Sequence, residues 1–189
     1  MPAAVFVDRD GVLNQLVYNP ATAEYESPHR VEDFALLPGV LEPLIKLQQA
    51  GYLLFLVSNQ PSYAKGKTSL ENIQAIHGRL HQALTSQGVN FTEYFYCYHH
   101  PEGTVPGFGG LCPCRKPSPY FLFQARDRFG VDLSQSWMVG DEERDMLCGK
   151  AAGVRTIQVH NPYSIKKRGK ANPEFSVSEL GEAADIILK

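Results

Sequence analysis

Two aspartates one residue apart, Asp8 and Asp10, stand directly after a short apolar run at residues 3–7. Residues two apart in a strand point to the same face, so both carboxylates can reach one site. Unpaired neighbouring carboxylates raise each other's pKa, and a cation such as Mg²⁺, which prefers oxygen ligands, removes that repulsion. The alternative is a polar turn whose acids hydrogen-bond the backbone, so the rest of the chain must decide.

Polar residues also follow the later predicted strands, in the order Ser58, Lys116 and Asp141. In open α/β sheets ligands bind outside the carboxyl ends of the strands, so these side chains would face one crevice. Such a set fits phosphoryl transfer, in which the protein positions the reacting group and neutralises charge on its oxygens. Each residue alone could belong to a turn or a helix cap. Their joint occurrence at strand ends favours a catalytic site.

Three of the four cysteines cluster in a loop at residues 97–114, where Cys97, His99, Cys112 and Cys114 supply three thiols and an imidazole. This donor set fits a closed tetrahedral zinc site, which is structural because it leaves no open position. A local thiol cluster in a reducing compartment is more often metal-binding than disulfide-bonded. His100 is the alternative to His99 as the fourth ligand.

The elements that must position these residues alternate between strand and helix. Strands are predicted at 3–7, 52–57, 94–97, 137–139 and 156–159, with a last apolar run at 186–188. Helices are predicted at 41–47, 69–87, 120–129 and 146–152, and a long loop covers 11–38. Repeated strand–helix units predict an α/β fold: a doubly wound, Rossmann-like parallel sheet with helices on both faces and a zinc-bound loop.

The composition is that of an ordinary globular protein and predicts a single domain over residues 1–189, with 43% hydrophobic and 20% charged residues. The net charge of −2 gives no basic face for nucleic acid. The chain shows neither a signal peptide nor a membrane span. We therefore expect a cytoplasmic monomer with a small-molecule substrate and neither nucleic-acid nor membrane partners.

The strand-end residues resemble the four motifs of the haloacid dehalogenase superfamily of phosphohydrolases. The first motif is similar to residues 8–14, the second to 58–60, the third to Lys116, and the fourth to Gly140-Asp141 with Asp145. The resemblance implies that Asp8 is the nucleophile and forms an aspartyl-phosphate.

The same resemblance implies roles for the residues around the nucleophile. Asp10 would protonate the leaving oxygen and later deprotonate the attacking water. Ser58 would donate a hydrogen bond to the phosphoryl group, and Lys116 would place a positive charge on it. Mg²⁺ would be held by the Asp8 carboxylate, the Asp10 carbonyl and Asp141. Asp145 would either support these ligands without touching the metal or compete with Asp141 for it.

Residues 97–103 and 112–117 resemble, more narrowly, the heptose 1,7-bisphosphate phosphatases and their histidinol-phosphatase relatives. The resemblance implies removal of the 7-phosphate of D-glycero-D-manno-heptose 1,7-bisphosphate, with Arg115 recognising the substrate; Arg9 and Asn59 are further candidate substrate contacts. Histidinol phosphate is the alternative substrate. A nucleic-acid-binding zinc module and an inactive scaffold are the alternatives from other classes. The chain departs from the heptose pattern at 61–66, Pro-Ser-Tyr-Ala-Lys-Gly, and in the insertion at 15–38.

Overall fold

The computed structural model describes residues 1–189 and contains one large sheet, one small hairpin and five α-helices. The strands are β1 (Ala4–Val7), β2 (Val17–Asn19), β3 (Glu24–Glu26), β4 (Leu53–Asn59), β5 (Glu93–Cys97), β6 (Trp137–Gly140), β7 (Arg155–Val159) and β8 (Phe175–Val177). The helices are α1 (Leu41–Gln49), α2 (Leu70–Thr85), α3 (Tyr120–Phe129), α4 (Glu143–Ala152) and α5 (Leu180–Ile187).

The large sheet has six parallel strands in the spatial order β5-β4-β1-β6-β7-β8. After β1, the chain adds β4 and then β5 on one side of β1, and it then adds β6, β7 and β8 on the other side. A crevice opens where the strand order reverses, between the carboxyl ends of β1 and β6. Because Val7 pairs with Val139, residues following these two strands meet at that point. This is the predicted doubly wound sheet.

Helices cover both faces of the sheet, as predicted, because every central strand is apolar on both sides. Val5 and Val7 belong to a core of 21 buried residues that also contains side chains of α1, α2 and α5. Phe6, between them, belongs to a second core of 14 buried residues with side chains of α3 and α4. The strands thus hold the two cores together.

The C-terminal apolar run is helical, whereas its position in the strand–helix pattern pointed to a strand at 186–188. The buried residues of α5 are Leu180, Ala183, Ala184 and Ile187, which recur at the spacing of one helical face. The last strand is β8, three residues long. A strand this short has only a weak apolar pattern in the sequence, whereas the apolar run at 186–188 is dense and therefore resembled the last strand.

The long loop after β1 also contains regular structure. β2 and β3 pair as an antiparallel hairpin, with Tyr18 opposite Tyr25, and a turn of 3₁₀ helix follows at Val31–Asp33. The hairpin lies beside the crevice at the strand ends.

None of the helices has the length and hydropathy needed to cross a membrane.

Candidate active site and metal centres

Asp8 follows β1 directly and is paired with a buried lysine. Lys116 Nζ lies 2.9 Å from Asp8 Oδ1 and 2.7 Å from Asp145 Oδ1, and it donates to the Val57 carbonyl at 2.6 Å. Burial raises the pKa of Asp8 to about 6, even though the Lys116 charge lowers it. Asp8 keeps 8% of its surface exposed, facing the crevice.

Asn59 fixes the backbone on which Lys116 stands. Its Oδ1 accepts from the Lys116 amide at 3.0 Å, and its Nδ2 donates to the Lys116 carbonyl at 3.1 Å. The residue lines the cleft, but both ends of its amide already have partners. Ser58, the preceding residue, is buried and accepts a hydrogen bond from Gln60 Nε2 at 2.9 Å. These two residues of β4 therefore hold the charged centre from one side.

Asp10 is held by three neighbouring side chains. Gln60 Nε2 donates to Asp10 Oδ2 at 2.6 Å, and Asn14 Nδ2 donates to Asp10 Oδ1 at 3.0 Å. Arg9 Nη2 contacts the two oxygens at 3.0 and 3.1 Å. Arg9, expected to contact substrate, is instead completely buried and lies outside the lining of the cleft. It faces Asp10 and Gln60.

Three carboxylates, from Asp8, Asp141 and Asp145, have oxygens within 4.8 Å of one another. Asp145 Oδ1 forms an ion pair with Lys116, and its Oδ2 accepts from the Glu142 amide at 3.0 Å. Asp141 is 1% exposed, and its Oδ1 has no hydrogen-bond partner. Burial, with Asp8 and Asp145 adding to it, raises the pKa of Asp141 well above its usual value. The surplus of buried oxygen donors fits a divalent cation held by Asp8 and Asp141.

Gly11 allows the ends of β1 and β6 to approach closely. Its φ of +83° lies in the left-handed region, and a Cβ at this position would collide with the Asp141 carboxylate. Asn161, which follows β7, donates from Nδ2 to the Gly11 carbonyl at 3.0 Å. A side chain at position 11 would therefore displace the Asp141 carboxylate.

A polar cleft of about 210 Å³ opens in front of Asp8, and Leu16 supplies its only hydrophobic side chain. Its lining residues are Asp8, Asp10, Leu16, Glu24, Glu26, Ser27, Asn59, Pro61, Ser62, Lys65, Lys67, His100, Arg115, Lys116, Glu142, Arg144 and Lys167. The hairpin and the segment after it supply one wall. Loops after the strands supply the others.

Two cations of the cleft, Lys65 and Arg115, have no carboxylate partner. Lys67 pairs with Glu26 at 2.7 Å, but neither Lys65 nor Arg115 forms an ion pair. Burial lowers the pKa of Lys65, and the charges of Lys67 and Arg115 lower it further. Burial and the charge of Arg144 likewise lower the pKa of Arg115, whose Nη1 donates to the His99 carbonyl at 3.0 Å. An anion in the cleft would relieve this repulsion.

The thiols and imidazole of the 97–114 loop converge on one point. Cys112 Sγ lies 3.5 Å from Cys97 Sγ and 3.7 Å from Cys114 Sγ, while His99 Nδ1 lies 3.9 Å from Cys97 Sγ and 3.7 Å from Cys114 Sγ. Around a tetrahedral zinc ion, ligand atoms are separated by roughly 3.5–3.8 Å. The residues therefore fit zinc, and His99 rather than His100 lies in the group. His100 lines the cleft.

Two residues that the sequence analysis did not single out tie the site together. Gln60 links Asp10 to Ser58, and its position two residues after Ser58 in an extended chain is the signal that could have identified it. Asn161 donates a hydrogen bond to the Gly11 carbonyl. It follows β7, so its place after a strand end is the signal that could have identified it. Asp8, Asp10, Ser58, Lys116 and Asp141, as predicted, lie at one end of the sheet.

Comparison with known proteins agrees with this architecture. A family model described as HAD-hydrolase-like matches residues 113–183. A Vibrio cholerae protein named D-glycero-beta-D-manno-heptose-1,7-bisphosphate 7-phosphatase is 38% identical over 187 residues, covering 98% of this chain and 96% of the relative. The protein of that name from Escherichia coli K12 is 34% identical, with coverages of 98% and 94%.

A solved structure gives the same result. The D,D-heptose 1,7-bisphosphate phosphatase of B. bronchiseptica, complexed with magnesium and phosphate, superposes with a TM-score of 0.80 at 29% identity and covers 100% of this chain and 98% of that one. These matches span nearly the whole length of this chain and of the relatives. The chain belongs to this family of haloacid dehalogenase-like phosphatases and is a phosphoric monoester hydrolase.

Proposed function

We propose that this phosphatase removes the 7-phosphate of D-glycero-beta-D-manno-heptose 1,7-bisphosphate. The relatives' names support the substrate, and one observation in the cleft supports a bisphosphate in particular. Lys116 is engaged with Asp8 at the reacting centre, yet Lys65 and Arg115 remain without carboxylate partners. A substrate with one phosphate at Asp8 and another on these cations uses both groups.

In the proposed reaction Asp8 attacks the 7-phosphorus, the bond from phosphorus to the sugar oxygen breaks, and Asp10 gives that oxygen its proton. The aspartyl-phosphate is then attacked by water, whose proton passes to Asp10, and phosphate leaves as Asp8 is regenerated. Asp10 lies on the cleft with its carboxylate held by Gln60 and Asn14, as a proton-transfer group must be. Lys116 and Ser58 stabilise charge at the reacting centre.

We propose Mg²⁺ as the cation bound by the Asp8 carboxylate, the Asp10 carbonyl and Asp141. Asp145 forms an ion pair with Lys116 whereas Asp141 forms none, and this difference supports the assignment to Asp141 over Asp145. When bound, the ion supplies positive charge to the phosphoryl oxygens. Asp145 would instead hold Lys116 in place, through the 2.7 Å contact between its Oδ1 and Nζ.

We propose a structural Zn²⁺ bound by Cys97, His99, Cys112 and Cys114. Arg115 follows the last ligand directly and donates to the backbone of His99, so folding of the loop around zinc would set the direction of its side chain. A thiol site of this kind suits the reducing cytoplasm, where we place the enzyme. Because every proposed site residue comes from one chain, a monomer would suffice.

The test measures phosphate release with Mg²⁺ from both anomers of the heptose bisphosphate, the heptose 7-phosphate and histidinol phosphate. We expect the β-bisphosphate to have the highest kcat/KM. Lys65→Met should raise KM for the bisphosphate by roughly 10- to 150-fold, the range for one charge-assisted hydrogen bond of about 1.5–3 kcal/mol, and leave KM for the monophosphate unchanged. The matched control is Lys67→Met, because Lys67 is paired with Glu26. Preference for histidinol phosphate would overturn the proposal.

A further inference from the structure

Arg9 is an arginine with no exposed surface, and it is the largest fully buried side chain of the chain. Burying a guanidinium is unfavourable unless charged and hydrogen-bonding partners replace its water. Its side chain does not line the cleft, so substrate is not that partner. The groups that surround it therefore show what it does.

The front of the guanidinium faces the Asp10 carboxylate. Nε lies 3.2 Å from Asp10 Oδ1, and Nη2 lies 3.0 and 3.1 Å from Oδ1 and Oδ2. Nη2 also donates to Gln60 Oε1 at 2.7 Å, which leaves the Gln60 amide nitrogen to donate to Asp10 Oδ2 at 2.6 Å. Arg9 thus orients Asp10 both directly and through Gln60.

The back of the guanidinium faces a tyrosine on β5. Arg9 Cζ lies 5.9 Å from the centroid of the Tyr96 ring, within the range of a cation–π contact. The Tyr96 hydroxyl lies 3.0 Å from His77 Nδ1 on α2. Nη1 has no hydrogen-bond partner, so the aromatic face is what the buried cation has on this side. The ring, fixed by His77, limits how far Arg9 can withdraw from Asp10.

We propose that Arg9 is a positioning residue for Asp10 and that Tyr96 and His77 support it from behind. The proposal rests on the acid–base role of Asp10 in the proposed function. Arg9 holds the carboxylate where it can reach the leaving oxygen without touching substrate. Tyr96 and His77 act only through Arg9.

The experiment compares two phosphate esters that differ in their need for a general acid. A sugar phosphate requires protonation of its leaving oxygen, whereas 4-nitrophenyl phosphate releases a stable anion. Arg9→Lys keeps the charge and loses the planar fork. For this variant we expect kcat/KM on the sugar phosphate, which covers only the steps up to release of the leaving group, to fall by about 10²-fold, the lower range for general acid catalysis, and kcat/KM on the aryl ester to fall much less. Activation of water by Asp10 in the second step is common to both esters and does not enter this constant.

The structure offers a matched control for the supporting residues. His81 Nδ1 lies 3.1 Å from the Tyr94 hydroxyl, a second histidine–tyrosine pair between the same helix and strand, without an arginine against the ring. Tyr96→Phe removes only a hydroxyl, and we expect it to reduce kcat/KM on the sugar phosphate several-fold and kcat/KM on the aryl ester much less. Tyr94→Phe should change neither constant.

Two results would overturn the proposal: equal losses of kcat/KM on both esters in Arg9→Lys or Tyr96→Phe, or equal effects of Tyr96→Phe and Tyr94→Phe on these constants. If Arg9→Lys does not fold, Tyr96→Phe alone decides, because the ring is retained. The comparison uses any sugar phosphate that the wild-type enzyme hydrolyses. A failure of the heptose assignment would therefore appear in the wild-type substrate panel, separately from a failure of the positioning role.

Discussion

At the scale of single residues, Lys116 has a second role besides the predicted one of placing a positive charge on the phosphate. It is 2% exposed, forms ion pairs with Asp8 and Asp145, and donates a hydrogen bond to the Val57 carbonyl. Burial alone would lower the pKa of this amine, but Asp145 and Asp8 raise it above its usual value, so the charge is permanent. Lys116 therefore fixes the position of Asp8, the proposed nucleophile, as well as neutralising its charge.

Replacing the nucleophile should separate activity from folding. Asp8→Asn keeps the shape of the side chain but removes the carboxylate that would attack phosphorus, so we expect turnover to be lost. Phosphate release, circular dichroism and zinc content measure activity and fold in one preparation. Wild-type turnover in the variant would contradict the mechanism. Loss of turnover with an unchanged fold and unchanged zinc content would exclude an inactive scaffold.

Gly11→Ala should impair the site by collision, beyond its effect on the backbone. An added Cβ would meet the Asp141 carboxylate, so we expect Mg²⁺ affinity and kcat to fall at least tenfold. Gly39→Ala is the control, because Gly39 also has a positive φ, of +75°, but has nothing within 4 Å of the added atom. Both variants are measured by activity against Mg²⁺ concentration and by thermal unfolding. Equal activity losses would show that backbone strain, and not Asp141, is responsible.

At the scale of elements, the strand ends were predictable and the contacts between side chains were not. The apolar runs at β1, β4 and β6 identified the strands, and the rule for open sheets then brought Asp8, Ser58 and Asp141 together. Arg9 was interpreted as a substrate contact because residue type alone does not show which side of the loop it faces. Its burial depends on Tyr96, 87 residues away, and that proximity comes from the fold.

The cysteine loop should lose its metal when one ligand is removed. For Cys112→Ala we expect less than one zinc per chain and a lower unfolding temperature, since metal binding and local folding are linked. KM should rise because Arg115 leaves its position beside His99. Cys148→Ala is the control, because this buried thiol donates to the Ser118 carbonyl, away from the cluster. Equal zinc contents in the two variants would contradict the site.

The hairpin is joined to the loop after β4 by a pH-dependent ion pair. Partial burial opposes ionisation of Glu26, but hydrogen bonds from Lys67 and Thr22 outweigh it and lower the pKa of Glu26 below its usual value. The pair therefore stabilises the fold above the usual carboxyl pKa, and that stabilisation is lost as pH falls through the lower, folded-state pKa. We expect Glu26→Gln to reduce stability by about 0.2–1 kcal/mol at neutral pH, and less in acid. Urea titrations of both proteins across pH measure this difference; a constant gap would contradict it.

At the scale of the whole molecule, the two cores share the strands of one sheet, and neither can be exposed alone. Trp137, the single tryptophan, lies in the larger core, while Phe121 and Leu122 belong to the smaller. We expect tryptophan fluorescence and far-ultraviolet circular dichroism to give coincident urea transitions, as a single domain should. Urea transitions with different midpoints would show that the chain contains two units that unfold independently.

The hairpin is tied to the body of the protein by Tyr25, which stacks on Tyr163 with ring centroids 3.9 Å apart, and by the Glu26–Lys67 pair. Its residues form one wall of the cleft and form neither a hydrogen bond nor an ion pair with Asp8, Lys116 or Asp141. Mutation there can therefore change which molecule enters while bond cleavage continues. A library confined to residues 16–27 should yield variants with new substrates at an undiminished intrinsic rate, which makes this hairpin the natural starting point for laboratory evolution.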